Sequence, residues 1–117
     1  MVVDDEKDQV FSIKRSMESF YGDTLEIIPA YNGMECIDLL IEQDPPDLII
    51  LDVMMAEISG PILYEQLKKS EQYQHIPIMF LTAGTCNFSI TSSQAPCFEK
   101  PMTAEELKKQ IDQMVPQ

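Results

Sequence analysis

Asp52 interrupts the apolar run LIILDVMM (residues 48–55), where a carboxylate is costly to bury unless it is a working group. Two further acids, Asp4 and Asp5, end the short apolar start MVV. Thr82 closes IPIMFLT, and Lys100 lies near the end of PCFEKP. Three carboxylates sharing a small space raise one another's pKa unless a cation is present. Mg2+ suits oxygen ligands and accompanies phosphate chemistry. A carboxylate held beside it can attack phosphorus and form an acyl phosphate. The metal, an ammonium and a hydroxyl then neutralise and hydrogen-bond the phosphoryl oxygens. Singly, each residue has an ordinary reading: a solvated strand end for Asp4 and Asp5, a loop cap for Asp52, a backbone-satisfied hydroxyl for Thr82, a surface amine for Lys100. Their joint placement is what carries weight.

The elements that must position them follow from periodicity. MVV is the stub of a strand; Val10, Ile13, Met17 and Phe20 then recur at helical spacing, with Gly22 as a stop signal. LEIIPAY (25–31) is strand-like, and its Pro29 suits an edge. Asn32 can cap a second helix with the apolar face Met34, Ile37, Leu40 and Ile41, ended by the prolines of DPP (44–46). DLIILD is the most clearly buried strand. After the loop MMAEISG, Ser59 can cap a third helix through Ile62, Leu63 and Leu67, with Pro61 in its first turn. IPIMFLT (76–82) is another fully apolar strand, and PCFEKP (96–101) holds a short one. Thr103 and Glu106 form a capping box for a last helix carrying Leu107, Ile111 and Met114.

Strands alternating with helices, and apolar on both faces, specify an α/β fold: an open parallel sheet with helices on both sides. Such sheets bind ligands beyond the carboxyl ends of their strands, where Asp4, Asp5, Asp52, Thr82 and Lys100 all fall. One stretch departs from the alternation. GTCNFSITSSQAP (84–96) stands where a fourth helix belongs, yet it carries no charge and many weak helix formers. That helix is expected to be shortened or absent.

Composition limits the function. The 117 residues fit one domain, 1–117, large enough to bury a core. Twenty acids against eight bases give a net charge of −12, which argues against nucleic-acid binding and against an anionic membrane surface. No apolar run reaches membrane-spanning length, and the early acids do not fit a secretory leader, so a cytoplasmic location is expected. Cys36, Cys86 and Cys97 are odd in number and lack CxxC spacing, so neither a disulfide framework nor a zinc site with His75 is expected. Cys36 lies in a helical pattern and reads as packing.

The motifs VVDDE, LIILDVMM, Ser59-Gly60, FLTA and EKP, in this order along nearly the whole chain, resemble those of the receiver domain of two-component response regulators. The resemblance implies a flavodoxin-like sheet of five parallel strands in order 2-1-3-4-5. It implies that Asp52 is the phosphoacceptor, supplied by a histidine kinase or a histidine phosphotransfer protein. Asp4, Asp5 and Asp52, with the backbone carbonyl of Met54, would bind Mg2+. Lys100, before a cis bond to Pro101, would bind the phosphoryl group, and Thr82 would be the hydroxyl that moves toward it. The chain departs from the family pattern at Ala56, where Pro is usual, and at Cys97, where an aromatic residue usually stands three before the Lys. The segment after Thr82 is also shorter. Strand alternation turns Phe98 to the opposite face from Cys97.

The reading is a phosphorylation-dependent signalling switch rather than a turnover enzyme, acting alone on downstream proteins or as part of a longer chain. One alternative is a receiver-like interaction module in which Cys97 and the short 84–96 segment have uncoupled phosphorylation from the output face. A remote alternative is a phosphatase of the aspartyl-phosphate type. Such an enzyme needs an acid two residues after its nucleophile, where this chain has Met54.

Overall fold

A computed structural model describes residues 1–84, 86 and 95–115. In chain order its elements are β1 (Val2–Val3), α1 (Lys7–Tyr21), β2 (Pro29–Ala30), α2 (Gly33–Glu42), β3 (Ile49–Leu51), α3 (Gly60–Lys69), β4 (Ile78–Thr82), β5 (Cys97–Glu99) and α4 (Ala104–Met114). The strands form one parallel sheet in the order β2-β1-β3-β4-β5, as expected. The expectation for a fourth helix within 84–96 falls on residues outside those described, apart from Gly84, Cys86, Ala95 and Pro96.

Alternation along the strands divides the core into two layers. Val3, Ile49, Leu51, Ile78 and Phe80 face α2 and α3, meeting Cys36, Leu40, Leu63, Tyr64 and Leu67. Val2, Ile50, Met79 and Leu81 face α1 and α4, meeting Val10, Ile13, Met17, Leu107 and Ile111. Cys97 packs with the first layer and Phe98 with the second, the opposed facing that strand geometry demands. Each fully buried side chain of this size contributes about 1.5–3 kcal/mol by leaving water, so the central strands are held firmly.

The caps are partly as expected. Asn32 accepts from the Glu35 N–H at the start of α2, and Thr103 from the Glu106 N–H at the start of α4. Ser59 stands at the cap of α3 without a side-chain hydrogen bond there. The helix faces need correction. Phe20, Met34, Ile41 and Ile62 are exposed, while Cys36, Gly33, Pro61 and Tyr64 are buried. Ile62 and Tyr64 lie two positions apart on α3, so both cannot face the sheet. Tyr64 takes the inner place and packs on Phe80 with ring centroids 5.6 Å apart. The strand read over 25–31 forms only at Pro29–Ala30.

The expectation of unpaired cysteines is overturned as well. Cys86 and Cys97 form a disulfide, with Cα atoms 5.8 Å apart, and only Cys36 is free and buried. The chain leaving β4 turns back along β5, where the Cys86 N–H donates to Glu99 Oε2 at 3.1 Å. That return brings Cys86 beside Cys97, a proximity that spacing along the chain does not reveal.

Candidate phosphoryl and metal site

β1 and β3 lie side by side in the middle of the sheet, paired Val3 to Leu51. The residues that follow them, Asp4 and Asp52, therefore emerge together at the carboxyl edge. Asp52 donates its backbone N–H to the Val3 carbonyl at 3.0 Å, and Asp4 donates its own to the Ala30 carbonyl at 3.0 Å. Asp5 is the next residue and is exposed. One ligand oxygen from each of Asp4, Asp5 and Asp52 lies within 4.8 Å of the others.

Burial separates the three. Asp4 is 3% exposed and Asp52 6%, whereas Asp5 is exposed. Asp4 accepts from the Glu6 N–H at 2.9 Å and from Lys100 Nζ at 2.8 Å. Lys100 reaches it because the Lys100 N–H donates to the Thr82 carbonyl at 2.7 Å, which fixes the end of β5 beside β4; the Lys100–Pro101 bond is cis. Asp5 Oδ2 accepts weakly from the Ala56 N–H, and Asp52 Oδ1 from the Met54 N–H, both at 3.4 Å.

The Asp52 carboxyl is held above its ordinary value of 3.8. Burial is the main cause and the Asp4 charge the second, opposed by Lys100, the Met54 N–H and a hydrogen bond from the Thr82 hydroxyl. Thr82 is fully buried at the end of β4, and its oxygen accepts from the Gly84 N–H at 3.1 Å. Gly60 allows the Asp52 loop to close: a Cβ there would collide with the Asp52 carbonyl. Met55 packs toward the core, while Met54 is 70% exposed and reaches over Gly84.

All five predicted side chains thus meet at one edge, with Lys100 on Asp4 rather than on Asp52. With all three acids ionised, the ammonium leaves two negative charges unbalanced, and the donors are hard oxygens. That set fits a small divalent cation, with Asp4, Asp5 and Asp52 as its holders. Sequence reasoning picked out Gly60 within the Ser59-Gly60 motif but gave it no role, and it missed the Cys86–Cys97 bond near Thr82. A separate cleft of about 740 Å³ lies at the other end of the strands, lined by Met1, Leu25, Leu48 and Ile111 among others, and none of the five residues faces it.

Residues 1–112 match the response regulator receiver domain family. The chain belongs to that family. Within this receiver domain family, hybrid signal transduction histidine kinase D of Dictyostelium discoideum is 32% identical over 115 residues, covering 95% of this chain and 7% of that protein. The polar-differentiation response regulator DivK of Brucella anthropi is 32% identical over 83 residues, 71% of this chain and 64% of that protein. The chain therefore spans less than two thirds of the length of either relative. Response regulator TrrA of Thermotoga maritima, solved in complex with Mg2+ and BeF, is 26% identical with a TM-score of 0.83, covering 97% of this chain and 96% of that one. Among the described residues, no helix of this receiver domain is long and apolar enough to cross a membrane.

Proposed function

We propose that this receiver domain is a phosphorylation-dependent switch in which Asp52 accepts a phosphoryl group from a histidine kinase or a histidine phosphotransfer protein. The observation that carries the reading is the meeting of Asp4, Asp5, Asp52, Thr82 and Lys100 at one strand edge, in a chain of this family. The kinship with TrrA, solved with Mg2+ and BeF, adds support for the metal. Mg2+, when bound, supplies charge neutralisation for the incoming phosphoryl oxygens.

Asp4 and Asp5 hold the metal, with Asp52 and the Met54 backbone carbonyl as further ligands. The Asp52 carboxylate is the nucleophile and ends as an acyl phosphate. Lys100 leaves Asp4 for the phosphoryl oxygens, and the Thr82 hydroxyl exchanges Asp52 for one of them. The exchange shifts the population of two arrangements at the β4–β5 edge, which a downstream protein reads. A charge of −12 favours protein rather than nucleic-acid partners, and a cytoplasmic setting fits a kinase donor.

A second reading keeps the phosphorylation and removes the readout. It is favoured by the cross-linked Cys97 at the position where the family usually has an aromatic side chain.

Intact mass after incubation with acetyl phosphate and Mg2+ tests the chemistry. One added phosphoryl group is expected, absent in Asp52→Asn and absent with EDTA. An addition that persists in Asp52→Asn, or a folded protein that binds no Mg2+, overturns the assignment.

A further inference from the structure

The disulfide lies four residues beyond Thr82 and three before Lys100, so it joins the two segments that carry the hydroxyl and the ammonium of the site. Cys86 is bound to the sheet edge twice: through sulfur to Cys97, and through its N–H to the Glu99 carboxylate. The Thr82 hydroxyl is itself tied to this return, since it accepts from the Gly84 N–H. Both sulfurs belong to half-buried residues that a small thiol can approach, whereas Cys36 is sealed in the core.

We infer that Cys86 and Cys97 form a reversible redox site, and that its oxidation state sets how far Thr82 and Lys100 can respond to a group carried on Asp52. The second half rests on the phosphoacceptor reading above. A group bonded to Asp52 needs the Thr82 hydroxyl, now on Asp52, and the Lys100 ammonium, now on Asp4. For Thr82 to turn, Gly84 must follow or release it. With Cys86 covalently fixed to β5, the segment from Thr82 to Cys86 is restrained at both ends; with the bond cut, one end is held only by the water-accessible hydrogen bond to Glu99.

The step is a thiol–disulfide exchange with a dithiol reductant. A thiolate of the reductant attacks one sulfur, the Cys86–Cys97 bond breaks, and its electron pair leaves on the other sulfur, which takes a proton. The reductant's second thiolate then attacks the mixed disulfide, forming the reductant's own disulfide and releasing the second protein thiolate, which is also protonated. Two electrons and two protons pass to the protein, and oxidised glutathione, by accepting them and leaving as two reduced glutathione molecules, reverses the step. In a cytoplasmic setting an accessible cross-link of this kind is one that cycles rather than one that merely holds the fold.

Alkylation under denaturing conditions counts the thiols: one adduct, at Cys36, for the oxidised protein and three after dithiothreitol. Beryllofluoride with Mg2+ then serves as the phosphoryl probe, titrated against both redox forms and against Cys86→Ser and Cys97→Ala, which cannot cross-link. The reduced protein and both variants should bind the probe at least about fivefold more tightly than the oxidised protein, the lower end of usual coupling between sites. Amide exchange between residues 82 and 100 should respond to the probe more strongly in the reduced form. Three adducts without reductant, despite oxidised glutathione, would overturn the redox site. Equal affinity and equal exchange response in both redox forms would overturn the coupling and leave the phosphoacceptor intact. Failure of the probe to bind either form, with Mg2+ present, would remove the phosphoacceptor reading and the coupling with it.

Discussion

The two halves of the carboxyl edge are held by different forces. On the β1–β3 side, Asp4 and Asp52 project from two buried strands, backed by Val3, Ile49 and Leu51 with almost no exposure. On the β4–β5 side, Thr82 ends a buried strand, but β5 is half exposed, and Cys86 is fastened to β5 by a disulfide and by a hydrogen bond to a carboxylate. The first side is held by burial in the middle of the sheet, while the second depends in addition on a covalent and a hydrogen-bonded tie at its partly exposed outer strand.

The largest effect is expected where the halves meet, at Lys100. Its ammonium and the Asp4 carboxylate are 2.8 Å apart with side chains 11% and 4% exposed. Removing one partner leaves a buried charge without compensation, which costs roughly 3–5 kcal/mol. Lys100→Met should therefore lose about that much stability in EDTA, measured by urea unfolding. Mg2+ should restore a good part of it, because a cation among Asp4, Asp5 and Asp52 does the same neutralising work. A loss of the same size with and without Mg2+ would separate Lys100 from the acids and erase the junction between the halves.

Gly60 probes the β1–β3 half alone. A methyl group there meets the Asp52 carbonyl and the Val53 backbone, neither of which is a flexible side-chain end. Overpacking of this kind costs about 1–3 kcal/mol. Gly60→Ala should lose that stability and weaken Mg2+ binding, since Asp52 moves with its carbonyl. Gly33→Ala is the contrast: its new methyl meets Ile58 Cβ at 3.2 Å, a contact that needs only a few tenths of an ångström of give, whereas the methyl at Gly60 collides with the Asp52 carbonyl oxygen. Equal losses from the two would show that the Asp52 loop is no stiffer than its surroundings.

The strand ends were the most legible part. Asp4 and Asp52 on one half and Thr82 on the other each follow a stretch of apolar strand residues, and strand ends in a parallel sheet share one edge, so periodicity alone brings them together. Helix phase was less legible. Met34, Ile41 and Ile62 are as apolar as the residues that were buried, and only the shape of the sheet decides that Tyr64 turns inward while Ile62 faces solvent. The Cys86–Cys97 bond was not legible at all: it depends on the β4–β5 register and on the path back from Thr82, neither of which is encoded in cysteine spacing.

Asp52 sets the sign of a smaller effect. Its folded carboxyl titrates above the ordinary 3.8, because burial and Asp4 disfavour the charge. The folded state thus holds the proton more tightly than the unfolded chain. The stability this confers is fully present below the ordinary carboxylate value and is lost as pH rises through the raised one. In EDTA at neutral pH, Asp52→Asn should therefore melt at a higher temperature than the parent, and the gap should close as the pH falls through the carboxylate range. Mg2+ should shrink it too, by favouring the ionised form in the parent. A variant less stable than the parent at neutral pH in EDTA would mean that Lys100 and the Thr82 hydroxyl outweigh burial.

The smallest effect belongs to the β4–β5 half, at Glu99. Its carboxylate accepts from the exposed Cys86 N–H, a contact open to water and therefore worth about 0.5–1.5 kcal/mol. With the disulfide closed, Glu99→Gln should cost at the low end of that range or less, because the amide oxygen still accepts and the sulfur bridge still holds Cys86 to β5. With the disulfide reduced, the same substitution removes charge from the hydrogen bond that still ties Cys86 to β5. Amide exchange at Cys86 should then quicken more in the reduced variant than in the oxidised one. The pair of measurements forms a double-mutant cycle in which reduction is one of the two perturbations. If the two effects simply add, the hydrogen bond and the bridge fasten Cys86 independently; if reduction magnifies the Glu99 effect, they act as one clasp on the segment that carries Thr82.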